Sequence, residues 1–358
     1  MAKVPLPALL KAMVDQNASD LHVTVGSPPQ FRIEGRMVRI KMESLGPQET
    51  KELCYSVLTD SQKAEFERDC ELDFSFGVKD IARFRGNIFL QKGAVAGVFR
   101  RIPIQIPTFE QLGLPIILKD ILKRPNGLVL VTGPTGSGKS TTLAAMLDLL
   151  NQTESGHLIT IEDPIEFIHP HKSCIVNQRE VGTDTKTFKD ALKRVLRQDP
   201  DFVLVGELRD IETIEMALTA AETGHLVFGT LHTNNAVQTI YRIVNVFTPH
   251  QQPQVRQLLA FVLQGIVSQQ LIPKSNGTGR VLSMETMFPN SAIRNLIRED
   301  KLHQIYSTMQ AGQNESGMMT MNQSLVRLVQ QGALTKEHAI ELSQFPEELA
   351  KMLGMVRV

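Results

Sequence analysis

Residues 128–142 read Leu-Val-Leu-Val-Thr-Gly-Pro-Thr-Gly-Ser-Gly-Lys-Ser-Thr-Thr, and this stretch decides the fold of the larger part of the chain. Four apolar residues lead into the motif Gly-x-x-x-x-Gly-Lys-Ser at 133–140, and a helical run at 143–147 follows it. A strand, a glycine-rich loop and a helix in this order are the structural context of a phosphate-binding P-loop. The sequence therefore predicts a nucleoside triphosphate site in an α/β domain.

Each residue of the motif has a chemical task at a triphosphate. Successive backbone N–H groups curl around phosphate oxygens, Lys139 brings a positive charge to the β- and γ-phosphates, and the Ser140 hydroxyl suits Mg²⁺. The predicted nucleotide contacts are Gly133, Pro134, Thr135, Gly136, Ser137, Gly138, Lys139, Ser140 and Thr141. The predicted ligands are ATP and Mg²⁺.

The charge balance limits the classes of partner. Among 358 residues, 38 Lys and Arg stand against 38 Asp and Glu, so the formal net charge is zero. A protein that grips nucleic acid gains most of its affinity from phosphate contacts and usually carries a basic surplus. We therefore expect no nucleic-acid partner.

Cysteine spacing and hydropathy predict a cytoplasmic protein. Cys54, Cys70 and Cys174 form no C-x-x-C pair, which favours free thiols over a zinc site or a disulfide framework. No apolar run approaches the roughly 18 residues that cross a bilayer. We expect membrane contact only through a partner.

The pattern of apolar residues changes along the chain. Residues 1–100 mix helical spacing with strand-like alternation, which is typical of a small α+β domain. Two prolines within 102–107 can continue neither a helix nor a central strand, so we place a linker at 101–111. The remainder, 112–358, is predicted as the nucleotide-binding domain.

The second domain is expected to contain a doubly wound parallel sheet. Short apolar runs at 128–132, 157–162, 202–206 and 225–230 alternate with helical segments, as buried parallel strands do. The tail beyond residue 290 is helical with polar faces. We expect Met318, Met319 and Met321 to lie in a flexible or partner-facing segment of that tail.

Carboxylates follow two of these predicted strands. Glu207 comes directly after the strand at 202–206, where it can orient a water molecule itself or through Mg²⁺. Glu162, Asp163 and Glu166 follow another strand, and Pro164 fixes a turn that can aim them at one site. An ordinary solvated turn has the same composition, so both interpretations of this cluster stay open.

Two histidines bracket the strand that follows. His225 and His232 are both placed to sense a γ-phosphate or to orient a carboxylate. Spacing alone equally describes core histidines with satisfied hydrogen bonds.

Four segments together resemble the secretion/type IV pilus ATPase superfamily. They are the P-loop, Ile-Thr-Ile-Glu-Asp-Pro-Ile-Glu at 159–166, Leu-Arg-Gln-Asp-Pro-Asp through Val-Gly-Glu-Leu-Arg-Asp at 196–210, and Thr-Gly-His-Leu-Val-Phe-Gly-Thr-Leu-His-Thr at 223–233. In that superfamily these segments are the Walker A motif, Asp box, Walker B motif and His box. The Ala-Ser-Asp-Leu-His segment at 18–22 and the tail Ala-Ile-Arg-Asn-Leu-Ile-Arg-Glu at 292–299 look like those of the pilus retraction branch.

The resemblance implies an architecture and a set of site residues. The fold would be α/β, with an N-terminal PAS-like α+β domain, then a RecA-like P-loop ATPase domain with a helical C-terminal tail. The implied catalytic residues are Glu207, Glu166, Glu162, Asp163, His225, His232, Arg85 and Arg100. Mg²⁺ would be held by Ser140 and, through water, by Glu207 and Glu162. Arg85 and Arg100 would reach the nucleotide of a neighbouring subunit.

The resemblance also implies a function. The chain would be a homohexameric ATPase that drives type IV pilus retraction, peripheral at the inner membrane through a platform protein, with other pilus ATPases as further partners. The segment 292–299 has an apolar stripe with Arg294 and Arg298 displaced from it, so it would transmit force or simply pack against the core.

Three other functions stay open. An extension ATPase of pili or of type II secretion usually carries a further N-terminal domain and a four-cysteine zinc insert, and neither is expected here. An accessory retraction ATPase belongs to the same branch, although the 292–299 segment favours the main one. A DNA-handling protein or a non-hydrolysing nucleotide switch is disfavoured by the zero net charge and by Glu207.

Overall fold

A computed structural model describes residues 4–33, 35–79, 81–102, 105–277, 279–311 and 317–355. The chain divides into an N-terminal unit, Met1–Gln105 with Glu166–Ile168, and a C-terminal unit, Ile106–Ile165 with His169–Val358. Residues 103 and 104 of the predicted linker lie outside the described residues. The last strand of the N-terminal unit continues to Ile102, two residues beyond the predicted domain end.

The described part of the N-terminal unit has three helices and six strands. The helices are α1 (Leu6–Asp15), α2 (Pro47–Tyr55) and α3 (Asp60–Asp69). The strands are β1 (Asp20–Val23), β2 (Gln30–Ile33), β3 (Arg36–Arg39), β4 (Glu71–Val78), β5 (Ala82–Gln91) and β6 (Ala94–Ile102). They form one antiparallel sheet in the order β3-β2-β1-β6-β5-β4. The α+β character predicted for this region is confirmed.

Strand alternation sorts the side chains of this sheet onto two faces. On β5, Phe84 and Ile88 are fully buried in the core of the unit, whereas Arg83 is only half-buried and Arg85 is exposed. Gly86 is required on the buried face, since a Cβ there would lie 2.6 Å from the ring of Phe74. The sheet therefore buries its apolar face and presents arginines on the other.

The described part of the C-terminal unit is built around a seven-stranded sheet. Its strands are β7 (Gly127–Thr132), β8 (His157–Glu162), β9 (Ile175–Glu180), β10 (Phe202–Val205), β11 (Leu226–Leu231), β12 (Leu263–Pro273) and β13 (Arg280–Met287). The order is β13-β12-β7-β11-β10-β8-β9, and all neighbours are parallel except β12 and β13. The predicted parallel sheet is confirmed, but the sequence interpretation missed β9, β12 and β13.

Helices accompany this sheet along the chain. They are α4 (Phe109–Leu112), α5 (Ile117–Leu122), α6 (Lys139–Thr153), α7 (Phe188–Val195), α8 (Ile211–Glu222), α9 (Ala236–Asn245), α10 (Gln252–Val262), α11 (Ser291–Arg298), α12 (Ile305–Ala311), α13 (Met321–Gln330), α14 (Lys336–Leu342) and α15 (Pro346–Met352). Along β7, Leu128 and Leu130 belong to one buried cluster while Val129 and Val131 belong to another. The central strands are thus buried on both faces, which is why they read as continuous apolar runs. None of the helices in the described part of the chain is long and apolar enough to cross a membrane.

The methionines of the tail are buried, so the expectation of a flexible or partner-facing segment is wrong. Met318, Met319 and Met321 all lie in apolar clusters. Met319 exchanges two backbone hydrogen bonds with Thr286 on β13, of 2.8 and 3.0 Å. Methionine is flexible and apolar, which suits it to filling irregular space between the sheet and the tail helices.

Candidate functional site

The motif at 133–140 forms a tight loop between β7 and α6. Gly133, Gly136 and Gly138 have φ values of 142°, 80° and 88°, a region that other residues adopt only with strain. A Cβ on Gly133 would lie 2.3 Å from the backbone oxygen of Gln269, so no side chain fits there. A Cβ on Gly136 would meet nothing within 4 Å. The glycines therefore serve two purposes, close packing at one end of the loop and an open concave surface in its middle.

The loop gathers hydrogen-bond donors and a cation. Lys139 begins α6, and its Nζ donates to the backbone oxygens of Gly133 and Pro134 at 2.8 and 3.1 Å. The first turn of α6 presents backbone N–H groups at the positive end of the helix dipole. This combination fits the phosphates of a nucleotide.

The loop could hold Mg²⁺ together with the phosphates of a bound nucleotide, but the loop alone does not supply enough ligands for the ion. Ser140 stands in the first turn of α6. No group of three or more His, Cys, Asp or Glu among the described residues is arranged to hold a metal ion. Mg²⁺ in phosphate sites takes few protein ligands and completes its shell with phosphate oxygens and water, so the arrangement is compatible with it.

Gln269 supports the loop from the neighbouring strand and was missed by the sequence interpretation. Its side chain is buried on β12, and Nε2 donates to the backbone oxygen of Ser137 at 2.8 Å. One residue earlier on β12, the Ser268 hydroxyl lies 2.8 Å from that of Thr132. The polar run Ser-Gln-Gln at 268–270, between apolar residues on both sides, was the available signal.

Glu207 lies at the edge of the sheet where β10 ends, and the side chains of Arg209 and His232 contact it. Its Oε1 accepts from Arg209 Nε at 2.7 Å and lies 3.2 Å from His232 Nε2. Partial burial raises the pKa of Glu207, but the hydrogen bond and charge of Arg209, together with His232, outweigh it and leave the pKa below its usual range. Glu207 is thus an ionised carboxylate with one oxygen engaged.

The two histidines of the sequence interpretation are separated by the length of β11. His232 follows the carboxyl end of β11, where it meets Glu207. His225 precedes the amino end, and its Nδ1 lies 3.0 Å from the backbone oxygen of Ala220. In the parallel register Leu226 pairs with Gly127 and Leu231 with Thr132, so the P-loop adjoins the His232 end. The structure brings His232 to the site, and it places His225 at the opposite edge of the sheet as a locally bonded histidine.

The acidic cluster after β8 is only partly assembled at this edge. Oε1 of Glu162 accepts from Thr160 Oγ1 at 2.6 Å and from Gln178 Nε2 at 3.2 Å. Asp163 is exposed, and its bond to Pro164 is cis. Glu166 is also exposed and groups with the N-terminal unit. Glu162 is thus held in place by side-chain hydrogen bonds from its own strand and from the neighbouring β9.

A buried carboxylate that sequence reasoning missed supports the turn. Glu180 ends β9 opposite Glu162, and its Oε2 accepts from the backbone N–H of Ile165 at 3.0 Å. The β8–β9 pairing that places Glu180 there was not predicted, so the sequence offered no signal for it.

The structure also explains why a glycine precedes Glu207. Gly206 donates its N–H to the backbone oxygen of Ile161 at 2.8 Å. A Cβ on Gly206 would lie 3.1 Å from that oxygen and 3.2 Å from the Cα of Glu162. The ends of β8 and β10 approach too closely for a larger residue to fit without displacement.

Glu285 joins the edge of the site to the tail helices. It is buried on β13; its Oε1 accepts from the N–H of Ala236 at 2.8 Å, and its Oε2 from that of Met321 at 3.4 Å. These residues begin α9, which follows the His232 turn, and α13. Burial raises the pKa of Glu285, and the two N–H bonds offset only part of that rise.

The two predicted arginines lie opposite each other on the N-terminal sheet. Arg85 on β5 pairs in register with Arg100 on β6, so both side chains project from one face. Arg100 Nε donates to Asp20 Oδ1 at 2.8 Å, whereas Arg85 Nη2 lies 3.7 Å from Asp73 Oδ1. Arg101 pairs with the buried Phe84 and projects from the other face, so the register distinguishes it from Arg100.

The 292–299 segment forms helix α11, and its two arginines differ. Ile293 and Ile297 are fully buried, whereas Ala292 is exposed. Arg294 donates to the backbone oxygens of Ala260, Phe261 and Leu263, the last two at 3.0 and 2.9 Å. Arg294 thus satisfies carbonyls at the carboxyl end of α10, a contact that its position beside the apolar stripe did not predict. Arg298 is exposed and bonds only to Asn295 among the described residues.

Known proteins of similar sequence and structure agree with this description. Residues 98–344 match the type II/IV secretion system protein family. The chain is 52% identical to the type IV pilus retraction ATPase PilT of Pseudomonas aeruginosa, over 95% of this chain and 98% of that protein. It is 47% identical to a twitching motility protein of Neisseria gonorrhoeae, over 96% of this chain and 91% of that protein.

A solved structure extends the likeness to three dimensions. The crystal structure of the pilus retraction motor PilT with bound ADP superposes with a TM-score of 0.92 at 53% identity, covering 98% of this chain and all of that one. The predicted α/β class, an N-terminal domain followed by an ATPase domain, is confirmed. By sequence and by fold, this chain belongs to the type II/IV secretion system protein family.

Proposed function

We propose that the chain is an ATP hydrolase that drives the retraction of type IV pili. One observation carries the hydrolase part: the P-loop and the Glu207–His232 pair emerge at the same edge of one sheet. An oriented carboxylate beside the phosphates can position the attacking water, a task that nucleotide binding alone does not require. The pilus part is supported by the likeness to PilT, a retraction ATPase, over nearly the whole of both chains.

The residues of this edge divide the chemistry between them. The loop N–H groups and Lys139 bind the β- and γ-phosphates of ATP, and Lys139 exchanges its two carbonyl partners for phosphate oxygens. Ser140 directly, and Glu162 and Glu207 through water, would hold Mg²⁺, which when bound neutralises charge that develops on the phosphates.

Glu207 is the proposed base. Because Arg209 and His232 both engage Oε1, they orient the carboxylate and leave Oε2, which has no partner among the described residues. Oε2 accepts a proton from the water that attacks the γ-phosphorus, and ADP and phosphate leave. His232 orients Glu207. Asp163 and Glu166 are proposed to organise water around the nucleotide. His225 lies at the opposite edge of the sheet, so it has no role in the proposed hydrolysis at the P-loop of its own chain.

The proposed assembly is a homohexamer in the cytoplasm, peripheral at the inner membrane. Arg85 and Arg100 would reach the nucleotide of the neighbouring subunit, since arginine pairs with two phosphate oxygens at once. The proposed domains are 1–100 and 112–358, joined by a linker at 101–111. The proposed partners are the inner-membrane platform protein of the pilus and other pilus ATPases, with no nucleic acid.

Deletion of the gene tests the direction of the motor. If the chain drives retraction, deletion leaves cells with excess pili that do not retract; if it drives extension, deletion leaves bald cells. An accessory retraction ATPase predicts that some retraction persists. A steady-state ATPase assay with Mg²⁺ separates all three from a non-hydrolysing switch, and Glu207→Gln serves there as the inactive control.

A further inference from the structure

The N-terminal sheet buries one carboxylate within a row of arginines. Asp20 on β1 pairs in register with Arg32 on β2 and with Arg100 on β6. Arg85 continues the row on β5. Residues directly opposite each other in an antiparallel sheet point to the same face, so the four side chains share one face.

Asp20 is held as an ionised group needs to be held. Its side chain is 3% exposed; Oδ1 accepts from Arg100 Nε at 2.8 Å, and Oδ2 accepts from Ser19 Oγ at 2.7 Å. Arg32 Nε lies further away, 3.9 Å from Oδ2. A buried charge without partners is costly, so the close bond to Arg100 is the main ionic contact that offsets the burial of Asp20.

The bond fixes Arg100 by its inner nitrogen. Nε is engaged, while neither Nη of Arg100 has a hydrogen-bond partner among the described residues, and the side chain is 68% exposed. The two Nη atoms form the edge of a guanidinium that pairs with two phosphate oxygens. Arg100 is therefore anchored at one end and presents a free binding edge at the other.

Arg85 lacks such an anchor. Its nearest carboxylate is Asp73, at 3.7 Å from Nη2, and both side chains are about half-exposed or more. At that distance the contact is an ion pair with no hydrogen bond, and solvent weakens it. The two arginines of the row thus differ in how much orientation they have before any ligand binds.

We propose that Asp20 is a positioning residue that pre-orients Arg100 for a phosphate of the neighbouring subunit's nucleotide. The proposal rests on the function proposed above for Arg100. A side chain already held in its binding rotamer loses less freedom on meeting the transition state, so an anchored arginine stabilises it more. Asp20 touches no nucleotide itself and acts only through Arg100.

The test is a double-mutant cycle on steady-state ATP turnover. Asp20→Asn keeps the volume but loses the charge, and kcat should fall by about tenfold because a charge-assisted bond becomes a neutral one. Asp20→Ala should lower kcat by about a hundredfold, with KM for ATP within a factor of about two. In an Arg100→Ala background, neither change should lower kcat further.

Arg32→Ala is the matched control. Arg32 flanks Asp20 on the other side, so this variant also removes an arginine from the face, yet kcat should stay within about twofold. Thermal unfolding and the mass of the assembly are measured for every variant. Asp20→Asn keeps the test available if the alanine variant does not fold.

The outcomes distinguish a failure of the positioning role of Asp20 from a failure of the role proposed for Arg100. If Arg100→Ala leaves turnover unchanged, the role of Arg100 is wrong and the role of Asp20 falls with it. If Arg100→Ala abolishes turnover but Asp20→Asn does not lower it, the positioning role alone is wrong. Losses that multiply in the double variant, or that parallel the loss of thermal stability, mean that Asp20 merely supports the fold.

Discussion

The P-loop and the arginine pair of the N-terminal sheet, Arg85 and Arg100, are suited to the same kind of ligand, and they are built in opposite ways. The P-loop is eight consecutive residues, and its shape is fixed by backbone at three glycines. The arginine pair is assembled from β5 and β6, and its arrangement depends on the strand register and, for Arg100, on Asp20 of β1. Most of the loop's shape comes from one short segment, with one supporting contact from Gln269, whereas the arginine pair exists only when distant strands pair correctly.

Removing the arginines is the strongest test of whether both regions serve one site. Arg100→Ala and Arg85→Ala should each leave ATP binding detectable while lowering turnover by about 10³, as the loss of an arginine finger does. ATP binding is followed by calorimetry and turnover by phosphate release. If the site is shared between subunits, mixing either variant with Lys139→Ala should restore some activity, because some sites would then combine an intact loop with an intact arginine pair. Full activity in an isolated monomer would contradict a shared site.

Glu207→Gln tests the loop side of the comparison. The amide keeps the shape of the side chain but cannot accept a proton from water, so turnover should fall by at least about 10² while ATP binding persists. The variant should accumulate as an ATP-loaded assembly, measured by nucleotide content after gel filtration. Near-normal turnover would redirect attention to Glu162 as the base.

A pair of glycine variants tests how far the loop is fixed by backbone. Gly133→Ala combines a strained φ of 142° with a Cβ at 2.3 Å from a backbone oxygen. It should lower the free energy of unfolding by about 3 kcal/mol. Gly136→Ala has the strain but open space around it, and should cost about 1 kcal/mol. Chemical denaturation measures both. Equal losses would mean that close packing against Gln269 contributes little.

Arg294 and Arg298 on α11 are arginines outside the proposed nucleotide site, and they test whether arginines elsewhere in the fold serve stability or force transmission. Arg294→Gln removes bonds to carbonyls at the end of α10 and should destabilise the unit by about 2 kcal/mol, with the turnover of the folded protein retained. Arg298→Gln should change stability by less than about 0.5 kcal/mol, since that side chain is exposed. If Arg298→Gln abolishes retraction while ATPase activity and the hexamer remain, α11 transmits force through its exposed arginine.

The smallest expected effect concerns the pH dependence of stability at Glu207. Its pKa is lowered in the folded state, chiefly because Arg209 and His232 outweigh burial. The resulting stabilisation is present above the unfolded-state pKa and is lost as the pH falls through the folded-state value. Arg209→Gln should therefore reduce stability by less than about 1 kcal/mol at neutral pH and by nothing in strong acid. Denaturation curves at several pH values measure it, and a difference that grows in acid would contradict this sign.

The same contrast between local and assembled features explains what the sequence could predict. The P-loop, the parallel strands and the position of Glu207 follow from short contiguous patterns, because a buried strand and the residue after it are read directly. His225 and His232 have equivalent spacing around one strand, and the parallel pairing of β11 with β7 assigns them to opposite edges. The direction of the strand, which already assigns Glu207, would also have separated the two histidines, whereas their equal spacing does not.

Residues that depend on long-range pairing were missed or misjudged for the same reason. Gln269 meets the P-loop across 132 residues of sequence, and Glu180 reaches its turn only because β9 pairs with β8. The methionines at 318–321 are polar-flanked in sequence but fill a core that β13 and α13 create. Arg294 lies on the polar side of an apolar stripe, yet the end of α10 covers it.

Glu285 has a consequence for anyone who edits this protein. Its carboxylate accepts hydrogen bonds from the first residues of α9 and α13, so it links the turn after His232 to the start of the tail helices. Truncating the chain between β13 and α13, or inserting a fluorescent protein there, would break the hydrogen bond from Met321 and leave buried Glu285 with one of its two backbone donors. A label should instead follow α15, where both hydrogen bonds to Glu285 are kept. Circular permutants opened within the segment before α13 should be the poorest of any series, because they separate the two helices that share a single acid.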